Sequence, residues 1–399
     1  MHHPLMRAQQ AVTSVVTRAQ QLYLPEPLQG PGCLLDLPAH IVADEVTHPL
    51  VVTTPGIMRR GQLDAFLAEL ERQGLAHALS TDVVPDPDAA CVQAIAERYE
   101  EAGCDGIVAV GGGSAMDAAK VAGALIVRPH ASVQELEGVL RVRHKLPKLY
   151  AVPTTAGTGS ETTAAAVITD PSTQRKHAIS DLVLIPHMAV LDPELLVGLP
   201  PTLTAYTGMD ALTHAVEAYT NRFGSKYARE RALRAVREIF QALKPSYDDG
   251  ADLALRERML RASFDAGVAF TCAFVGYVHA IAHGVGGRYH TQHGLANAVI
   301  LPYVLEEFGP AVEGDLADLA WAIGLTGDDN HELAQAFIAA VRSLGASMDI
   351  PEHLEEIQAA DIRELARGAE REGNPGYPVP VIWDVPTFER VIARVSGVA

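Results

Sequence analysis

The sequence predicts two domains, an α/β domain with a mostly parallel sheet followed by an all-α domain. From about residue 50 to residue 192, short β-branched runs alternate with segments of helical spacing, which is typical of parallel strands connected by helices. After Pro200–Pro201 the amphipathic segments continue but β-branched runs become rare. A chain of 399 residues also exceeds the usual size of one hydrophobic core. We therefore expect domains over residues 1–200 and 201–399, with residues 1–30 as an N-terminal extension.

Several apolar runs in the first domain predict strands. The clearest is Gly106–Val110, GIVAV, whose continuous apolar character indicates a strand buried on both faces. The predicted strands are Leu50–Thr54, Ala76–Ser80, Gly106–Val110, Tyr150–Pro153, Ala165–Thr169 and Met188–Leu191. Helical spacing between them predicts helices at Arg60–Gln73, Asp88–Ala102 and Ala115–Val127.

The second domain is predicted to be helical throughout. Amphipathic spacing predicts helices at Leu203–Thr220, Tyr227–Leu243, Asp252–Phe274, Val278–His283, Ala296–Phe308, Leu316–Ile323, His331–Leu344, Ala360–Gly368 and Thr387–Arg394. The segment Asn374–Pro380, NPGYPVP, is irregular and rich in proline. We expect it to lie on the surface or to close a cleft.

Charge and cysteine content exclude several classes of protein. The net charge of -18 argues against nucleic acid or an anionic membrane as partners, because binding phosphates requires a basic surface. No apolar run approaches the length that spans a bilayer. The four cysteines are far apart without a CxxC pair, which indicates neither a disulfide framework nor a zinc ribbon. We therefore expect a reducing, cytoplasmic location.

A glycine-rich turn in the first domain is the first candidate binding site. In Val108–Lys120, VAVGGGSAMDAAK, a buried strand ends, three glycines follow and a helix starts near Ser114. Glycines allow a ligand to approach the backbone, and a helix N-terminus presents unpaired N–H groups to an anion. Gly112, Gly113, Ser114 and Asp117 are therefore candidates for cofactor binding. The turn matches neither the Walker sequence nor GxGxxG, and the alternative is a merely structural turn.

A second loop of small polar residues supports nucleotide binding. Pro153–Thr163, PTTAGTGSETT, follows a predicted strand and is rich in hydroxyls and glycines. The carboxyl ends of parallel strands are where α/β sheets bind nucleotides. The two loops together predict a nucleotide or dinucleotide site, but they do not distinguish redox chemistry from phosphoryl transfer.

A cluster of histidines in the second domain is the candidate metal site. His279 and His283 are four residues apart, so both imidazoles share one face of a helix. We expect the glycines at 284, 286 and 287 to end that helix, so that His293 follows beyond a turn. His290 is interpreted as a bystander. The alternative is that these are ordinary core histidines.

A second spaced pair completes a possible ligand set. Asp210 and His214 are also four residues apart on a predicted helix. Together with His279 and His293 they offer one carboxylate and three imidazoles, a set that suits Fe²⁺ or Zn²⁺. The chain contains no HExxH motif, which argues against a zinc peptidase.

Five segments then point to a known family. They are GGGSAMDAAK at 111–120, PTTAGTGSE at 153–161, GMDALTHAVEAY at 208–219, HAIAHGVG at 279–286 and QHGLANA at 292–298. From about residue 50 to its end, the chain resembles the iron-containing (group III) alcohol dehydrogenase family in these motifs and their spacing. The resemblance implies a dehydroquinate synthase-like architecture, with NAD(P) on the α/β domain, a metal on the helical domain and catalysis in the cleft between them.

The resemblance also implies roles for individual residues. It makes Asp210, His214, His279 and His293 the metal ligands, with Fe²⁺ as the expected ion and Zn²⁺ as the alternative. His283 corresponds to a histidine near the substrate and is a candidate proton relay, unless it is a structural core histidine. The implied cofactor contacts are Gly113 and Ser114 at the pyrophosphate, Thr154, Thr155 and Thr163 along the nicotinamide half, Lys176 at a ribose, and Leu195 and Gly198 in the hinge strip.

Two departures from the family pattern bear on the choice of cofactor. Thr54 stands where many members have an aspartate that binds the adenosine ribose and repels a 2′-phosphate. Asp86 stands where many members have an asparagine. Loss of the first carboxylate weakens the argument for NAD over NADP, and Asp86 restores it only if it lies near the ribose. NAD is favoured slightly, with NADP as the alternative.

The implied reaction is reversible hydride transfer between nicotinamide and a small primary alcohol or diol, by a homodimer or larger homo-oligomer. Side chains at Ala165, Phe270, Phe274 and Tyr377 are expected to line the substrate cleft. A maleylacetate-reductase-like oxidoreductase is one alternative, since NPGYPVP has that character, but those relatives typically lack the complete ligand set. A dehydroquinate-synthase-like lyase and a non-catalytic nucleotide- and metal-binding protein are the others.

Overall fold

The computed structural model describes residues 4–11, 24–170 and 175–398. The chain divides into two compact units. One comprises Leu22–Val197, and the other comprises Gly198–Ala399 together with Met1–Gln21. The predicted fold class is confirmed, because the first unit is built on a parallel sheet and the second on helices.

A six-stranded parallel sheet organises the first unit. Its strands are β1 (Pro27–Gln29), β2 (Pro49–Val52), β3 (Ala78–Ser80), β4 (Gly106–Gly111), β6 (Lys148–Pro153) and β9 (Met188–Leu191). Their order is β1-β9-β6-β4-β2-β3, so that β3 and β4 flank β2 on opposite sides. β4 is buried along its whole length, as its apolar run predicts. Strand order reverses around β2 and β4, which is where open α/β sheets form a crevice at their carboxyl edge.

Helices connect these strands. They are α2 (Leu37–Ala43), α3 (Pro55–Arg59), α4 (Asp64–Arg72), α5 (Ala89–Ala102), α6 (Gly113–Val127) and α7 (Val133–Leu136). The helix predicted over Arg60–Gln73 begins later than expected, at Asp64, because α3 ends at Arg59 and Gly61 adopts a positive φ of 65° between the two helices. A Cβ at Gly61 would lie 2.9 Å from Oδ2 of Asp64. Glycine therefore lets the chain turn at this point.

A small second sheet accounts for one predicted strand. β7 (Ala165–Asp170) pairs antiparallel with β8 (Arg175–Ser180), and β8 pairs with the short β5 (Gly138–Val139). β7 therefore belongs to a separate three-stranded sheet. β1 forms within the segment that we interpreted as an N-terminal extension, and it pairs with β9 at the sheet edge.

The second unit is helical over its described residues. A helix α1 covers residues 4–11. The others are α8 (Pro201–Thr220), α9 (Lys226–Asp248), α10 (Leu253–Ala273), α11 (Tyr277–Tyr289), α12 (His293–Phe308), α13 (Glu313–Ala322), α14 (Asn330–Ala346), α15 (Ile362–Gly373) and α16 (Val385–Val395). α8 packs against α9, α10 and α12, and it is buried from Gly208 to its end.

The predicted end of the histidine-bearing helix was wrong. α11 continues through Gly284, Gly286 and Gly287 and ends at Tyr289, where His290 takes a left-handed φ of 58°. Glycine disfavours a helix by only about 1 kcal/mol per residue, which tertiary packing can offset. α11 packs against α15 at Gly284, where a Cβ would lie at an ordinary contact distance of 3.4 Å from Leu365. His290 thus ends the helix, a role that its sequence position did not reveal.

Among the described residues, no single helix is both long enough and apolar enough to span a bilayer. Taken together, α10 and α11 are long enough and apolar enough, but the chain bends by 105° at the break between them.

Candidate metal centre and nucleotide loops

Helix α8 supplies the first two predicted ligands. Asp210 and His214 lie four residues apart and are both buried. Their helix sits close to α9 because Gly208 has no side chain, and a Cβ there would lie 2.2 Å from Leu243. The pair is thus held in the interior of the helical unit, where an isolated carboxylate is costly unless a cation or donors offset it.

His279 is positioned by a buried glutamate on α8. Glu217 accepts hydrogen bonds from the backbone N–H groups of Gly276 and Val278, both at 2.7 Å, and from His279 Nδ1 at 2.6 Å. A Cβ at Gly276 would lie 2.8 Å from Glu217 Oε1, so only glycine fits at the start of α11. Burial raises the pKa of Glu217 to about 8, against the effect of the three donors. Glu217 therefore fixes the ring of His279 through Nδ1, so that Nε2 faces Asp210.

His293 reaches the same point from the first turn of α12. Its neighbour Gly294 packs against the backbone of α8, where an added Cβ would lie 2.2 Å from the carbonyl oxygen of Tyr206. His293 Nε2 lies 3.6 Å from Asp210 Oδ1. Close packing of two helices, made possible by a glycine, therefore brings His293 to Asp210.

The structure brings three of the four predicted ligands together. One ligating atom from each of Asp210, His279 and His293 lies within 4.8 Å of the other two. His279 Nε2 is 3.9 Å from Asp210 Oδ1. The ring of His214 stacks on that of His279, with centroids 4.5 Å apart, and on Phe270, with centroids 4.2 Å apart. His214 thus borders the three-residue cluster and packs against one of the residues expected to line the substrate site.

The chemistry of the cluster fits a divalent metal. Asp210 is 2% exposed, and no lysine or arginine within the described ranges forms an ion pair with it. Burial and the neighbouring histidines hold the pKa of His279 well below its usual value, which keeps the imidazole neutral and its lone pair available. One carboxylate with neutral imidazoles is a set that Fe²⁺ and Zn²⁺ accept.

Asn297 also contacts the cluster. Its amide nitrogen lies 2.7 Å from Asp210 Oδ1, 3.2 Å from His279 Nε2 and 3.1 Å from His293 Nε2. Sequence reasoning missed both Asn297 and Glu217. The signal was available, because Asn297 follows His293 by four residues and Glu217 follows Asp210 by seven, each on the helix face of a predicted ligand.

His283 lies beside the cluster on the next turn of α11. Its ring stacks on that of His293, with centroids 5.2 Å apart and planes 13° apart. Its Nδ1 lies 2.7 Å from Glu372 Oε1. The candidate proton relay is therefore adjacent to the metal ligands and has a carboxylate partner of its own.

The two predicted nucleotide loops meet at the carboxyl edge of the parallel sheet. Gly112 precedes the first turn of α6, whose leading N–H groups lack a side-chain cap. A Cβ at Gly113 would lie 3.0 Å from Thr158, and the N–H of Thr154 donates to the carbonyl of Gly111 at 2.9 Å. A helix N-terminus bordered by glycines and hydroxyls is a suitable site for a phosphate.

A buried lysine fixes the second loop. Lys120 Nζ lies within 3.0 Å of five oxygens of Ser160, Thr163 and Ala165. Burial lowers the pKa of Lys120 to about 8. Asp117 accepts hydrogen bonds from Ser160 Oγ at 2.7 Å and Val167 N at 2.9 Å. Asp117 and Thr163 thus hold the loop in place, and their direct contact with a cofactor stays a prediction.

The other predicted cofactor residues belong to several different elements. Thr54 follows β2 and caps α3 by accepting from the N–H of Ile57. Asp86 is exposed in a loop, with a φ of 49°. Leu195 accepts a hydrogen bond from Gln62, and Gly198 has a φ of 84°. Lys176 pairs with Thr169 in the β7–β8 ladder, but its side chain lies outside the described part of the chain.

Comparison with known families accounts for both units. Residues 25–193 match the family described as iron-containing alcohol dehydrogenase, and residues 204–379 match the C-terminal domain of the same family. The chain belongs to the iron-containing alcohol dehydrogenase family. The resemblance drawn from the sequence motifs is therefore confirmed, and the protein is an alcohol oxidoreductase by family.

Individual relatives agree with this membership. The chain is 37% identical over 352 residues to alcohol dehydrogenase 4 of Schizosaccharomyces pombe, covering 87% of this chain and 82% of the relative. It is 38% identical over 311 residues to the NADPH-dependent butanol dehydrogenase of Clostridium saccharobutylicum, covering 77% and 79%. Members of this family use a divalent metal and NAD(P).

Solved structures share the fold along nearly the whole chain. A 1,3-propanediol oxidoreductase superimposes with a TM-score of 0.90 at 34% identity, covering 93% of this chain and 98% of that one. A sulfoacetaldehyde reductase of Bifidobacterium kashiwanohense in complex with NAD⁺ superimposes with a TM-score of 0.84 at 26% identity, covering 94% and 98%.

Proposed function

We propose that the protein is a metal-dependent, NAD(P)-linked alcohol dehydrogenase that interconverts a small primary alcohol or diol and its aldehyde. The observation that carries the proposal is the buried Asp210 carboxylate, which faces His279 and His293 with no basic side chain paired to it in the described residues. When bound, the metal supplies Lewis acidity towards the substrate oxygen and the nicotinamide accepts or donates the hydride.

Residues of this chain would bind the metal, orient one of its ligands and transfer the proton. Asp210, His214, His279 and His293 would hold the metal, with Fe²⁺ proposed and Zn²⁺ as the alternative. Glu217 keeps the His279 ring oriented through its hydrogen bond to Nδ1. His283, beside His293, is placed to take the hydroxyl proton of an alcohol or to return it to the product of reduction.

The cofactor is proposed to bind along the carboxyl edge of the parallel sheet. The uncapped N–H groups at the start of α6 would hold the pyrophosphate, beside Gly112, Gly113 and Ser114. Thr154 and Thr155 follow β6 next to this turn and would lie along the nicotinamide half. NAD is the proposed cofactor. NADP is the alternative, since one relative is named as NADPH-dependent and a structural neighbour was solved with NAD⁺.

The three alternative functions predict different behaviour of the site and the cofactor. A maleylacetate-reductase-like activity does not account for a buried carboxylate that meets two imidazoles at one point. A dehydroquinate-synthase-like lyase would return its cofactor unchanged, so that no net reduced nicotinamide would accumulate. A non-catalytic binding protein would bind both groups without turnover.

One assay separates these activities. The protein is stripped of metal with a chelator, reloaded anaerobically with Fe²⁺ or Zn²⁺, and supplied with NAD⁺ or NADP⁺ and ethanol, 1-butanol or 1,3-propanediol. We expect absorbance of the reduced nicotinamide to rise only in the metal-loaded samples, and the His279→Ala and His293→Ala variants to lose bound metal and turnover together. Full activity of a metal-free preparation would refute the metal assignment, and no activity with any alcohol would favour the lyase or the binding protein.

We further propose that the enzyme is a cytoplasmic homodimer or larger homo-oligomer. The four cysteines are all free, and burial raises the pKa of Cys33 and Cys272 to about 12 each, which suits a compartment where thiols stay reduced. Light scattering coupled to gel filtration gives the oligomeric state directly, and a monomer at micromolar concentration would contradict it.

A further inference from the structure

His283 has a set of partners that the proposed function does not use. Its Nδ1 lies 2.7 Å from Oε1 of Glu372, at the end of α15. The hydroxyl of Tyr377 donates to the same oxygen at 2.9 Å. One carboxylate oxygen thus receives both a ring nitrogen and a phenol, next to the histidines of the metal cluster.

We propose that Glu372 and Tyr377 are positioning residues that hold His283 in one ring orientation and in its Nδ1–H form. This inference rests on the proposed function only for the part that His283 plays in proton transfer. A carboxylate that accepts at Nδ1 places the hydrogen of the neutral imidazole on that nitrogen. Nε2 then carries the lone pair, and it is the nitrogen that can accept the hydroxyl proton of an alcohol.

A hydrogen bond between half-exposed side chains needs support to hold one geometry. The side chains of His283 and Glu372 are 28% and 33% exposed, and surface pairs of this kind contribute little on their own. Here Tyr377 supplies a second donor. Burial and the carboxylate of Glu372 hold the pKa of Tyr377 well above its usual value, so its hydroxyl stays a donor. The N–H of Tyr377 also bonds to the carbonyl of Gly373, which ties it to the end of α15.

The end of α15 is itself fixed by buried aromatic packing. A Cβ at Gly373 would lie 2.7 Å from the Tyr277 ring, so the helix end sits directly on that ring. The Tyr277 hydroxyl donates to Asn374 Oδ1 at 2.6 Å, and the Asn374 amide donates to the Trp383 carbonyl at 3.0 Å. Glu372 therefore projects from a rigid base.

Helix α1 secures the other side of the segment. The guanidinium of Arg7 donates to the carbonyls of Val379 at 2.6 Å and Pro380 at 2.8 Å. The amide of Gln10, which is 1% exposed, donates to the carbonyl of Tyr377 at 2.6 Å. Helix α1 thus holds the backbone of Tyr377, and the hydroxyl of Tyr377 in turn holds Glu372. Through these contacts the N-terminal helix helps to position His283.

The first test measures the His283 ring directly. The full-length protein is labelled with ¹⁵N-histidine and loaded with Zn²⁺, and the His283 signals are assigned by their loss in His283→Gln. We expect the wild type to show the Nδ1–H form, Glu372→Ala to show loss of that form, and Glu372→Gln to keep it, because an amide oxygen also accepts from Nδ1. Arg371→Ala, an exposed neighbouring charge, is the matched control. An unchanged His283 signal in Glu372→Ala would overturn the proposal, whether or not the protein oxidises alcohols.

The second test measures turnover with 1,3-propanediol. We expect Glu372→Ala to lower kcat by about tenfold with KM, metal content and NADH affinity unchanged, since general acid–base assistance is worth 100-fold or more and only its positioning is lost. Glu372→Gln should recover most of kcat, and Tyr377→Phe should fall between the two. A loss of bound metal in Glu372→Ala would also overturn the proposal, because Glu372 would then support the metal site itself.

The third test addresses helix α1. The double variant Arg7→Ala with Gln10→Ala should lower kcat in the same direction as Tyr377→Phe, with metal content unchanged. Leu5→Ala is the control, because Leu5 lies on the same helix and is 73% exposed. Equal kcat values in the double variant and the control would remove helix α1 from the proposal. Absence of turnover in the wild type would instead refute the proposed function, while the histidine signals would still decide on Glu372.

Discussion

At the scale of single residues, the candidate metal centre depends on side chains that are not among its predicted ligands. Glu217 is the clearest case, because its two oxygens receive three donors: two backbone N–H groups and His279 Nδ1. The arrangement fixes both the start of α11 and the orientation of one ligand. Outer partners of this kind commonly change metal affinity when they are removed.

Replacing Glu217 by glutamine should weaken metal binding. A glutamine offers one oxygen and one NH₂ group to three donors, so at least one N–H of Gly276 or Val278 would face another donor. We expect Zn²⁺ affinity to fall by about 10- to 100-fold. Competition with a chromophoric chelator measures this. Glu230→Gln, an exposed site on α9, is the control, and an unchanged affinity in Glu217→Gln would show that the hydrogen bond to His279 does not matter for the metal.

The buried carboxyl of Glu161 should make the stability of the protein depend on pH. Its carboxyl is 1% exposed, its Oε1 has no hydrogen-bond partner within the described residues, and burial raises its pKa from 4.5 to about 7. Between pH 4.5 and 7 the folded state therefore binds more protons than the unfolded state, so stability falls as pH rises through this window. The full loss is about 3 kcal/mol.

The Glu161→Gln variant should remove this pH dependence. Chemical denaturation of wild type and variant at several values between pH 4.5 and 8 gives the difference in free energy of unfolding. We expect the wild type to lose stability relative to the variant as pH rises, with most of the change complete above pH 7. Glu100→Gln, at an exposed site, should run parallel to the wild type. Parallel curves for Glu161→Gln as well would contradict the raised pKa.

At the scale of elements, glycines decide where helices meet. Gly294 sets the start of α12 against α8, and this contact brings His293 to Asp210. Gly284 differs, because a Cβ there would make an ordinary contact at 3.4 Å with Leu365 of α15. Local sequence preference predicts a helix end at such residues, whereas the tertiary contact keeps the helix intact.

A single methyl group at Gly294 should therefore disturb the metal centre. In Gly294→Ala the new Cβ would lie 2.2 Å from the carbonyl oxygen of Tyr206, a backbone atom that cannot give way without shifting α8 or α12. We expect a lower melting temperature and a Zn²⁺ affinity reduced by tenfold or more. Gly368→Ala on α15 is the matched control, since no atom lies within 4 Å of its added Cβ, and it should stabilise the protein by up to about 1 kcal/mol. Normal Zn²⁺ affinity in Gly294→Ala would show that the helix contact does not place His293.

These elements also mark the limits of inference from sequence. Periodicity predicted the buried strand β4 and the long helices, because an apolar run or stripe reports burial directly. Periodicity did not predict the antiparallel pairing of β7 with β8, because the sequence of a strand does not indicate which sheet the strand joins. The pairs Asp210–His214 and His279–His283 were found because helical spacing fixes a shared face. The contributions of Glu217, Lys120 and Glu372 depend on which helices and loops pack together, and spacing does not contain that information.

At the scale of the whole molecule, the predicted metal ligands and the predicted phosphate-binding turn lie in different units. Every predicted metal ligand lies in the unit that contains Gly198–Ala399, and the glycine turn with its hydroxyl loop lies in Leu22–Val197. The family assignment spans both units, with residues 25–193 and 204–379 matched in turn. Substitutions should therefore separate the two binding events in the intact chain.

The reciprocal pair Gly113→Val and His293→Ala tests this division. A side chain at Gly113 would meet Thr158 at 3.0 Å and occupy the approach to the first N–H groups of α6, so NADH affinity, measured by fluorescence, should fall by at least about tenfold. Its Zn²⁺ content should stay at the wild-type value, because no metal ligand lies in that unit. His293→Ala should lose Zn²⁺ while retaining NADH affinity. Loss of metal in Gly113→Val would show that the nucleotide loop and the metal site depend on each other for their structure. Hydride transfer would then depend on cooperative folding of the two units, because neither site would form independently.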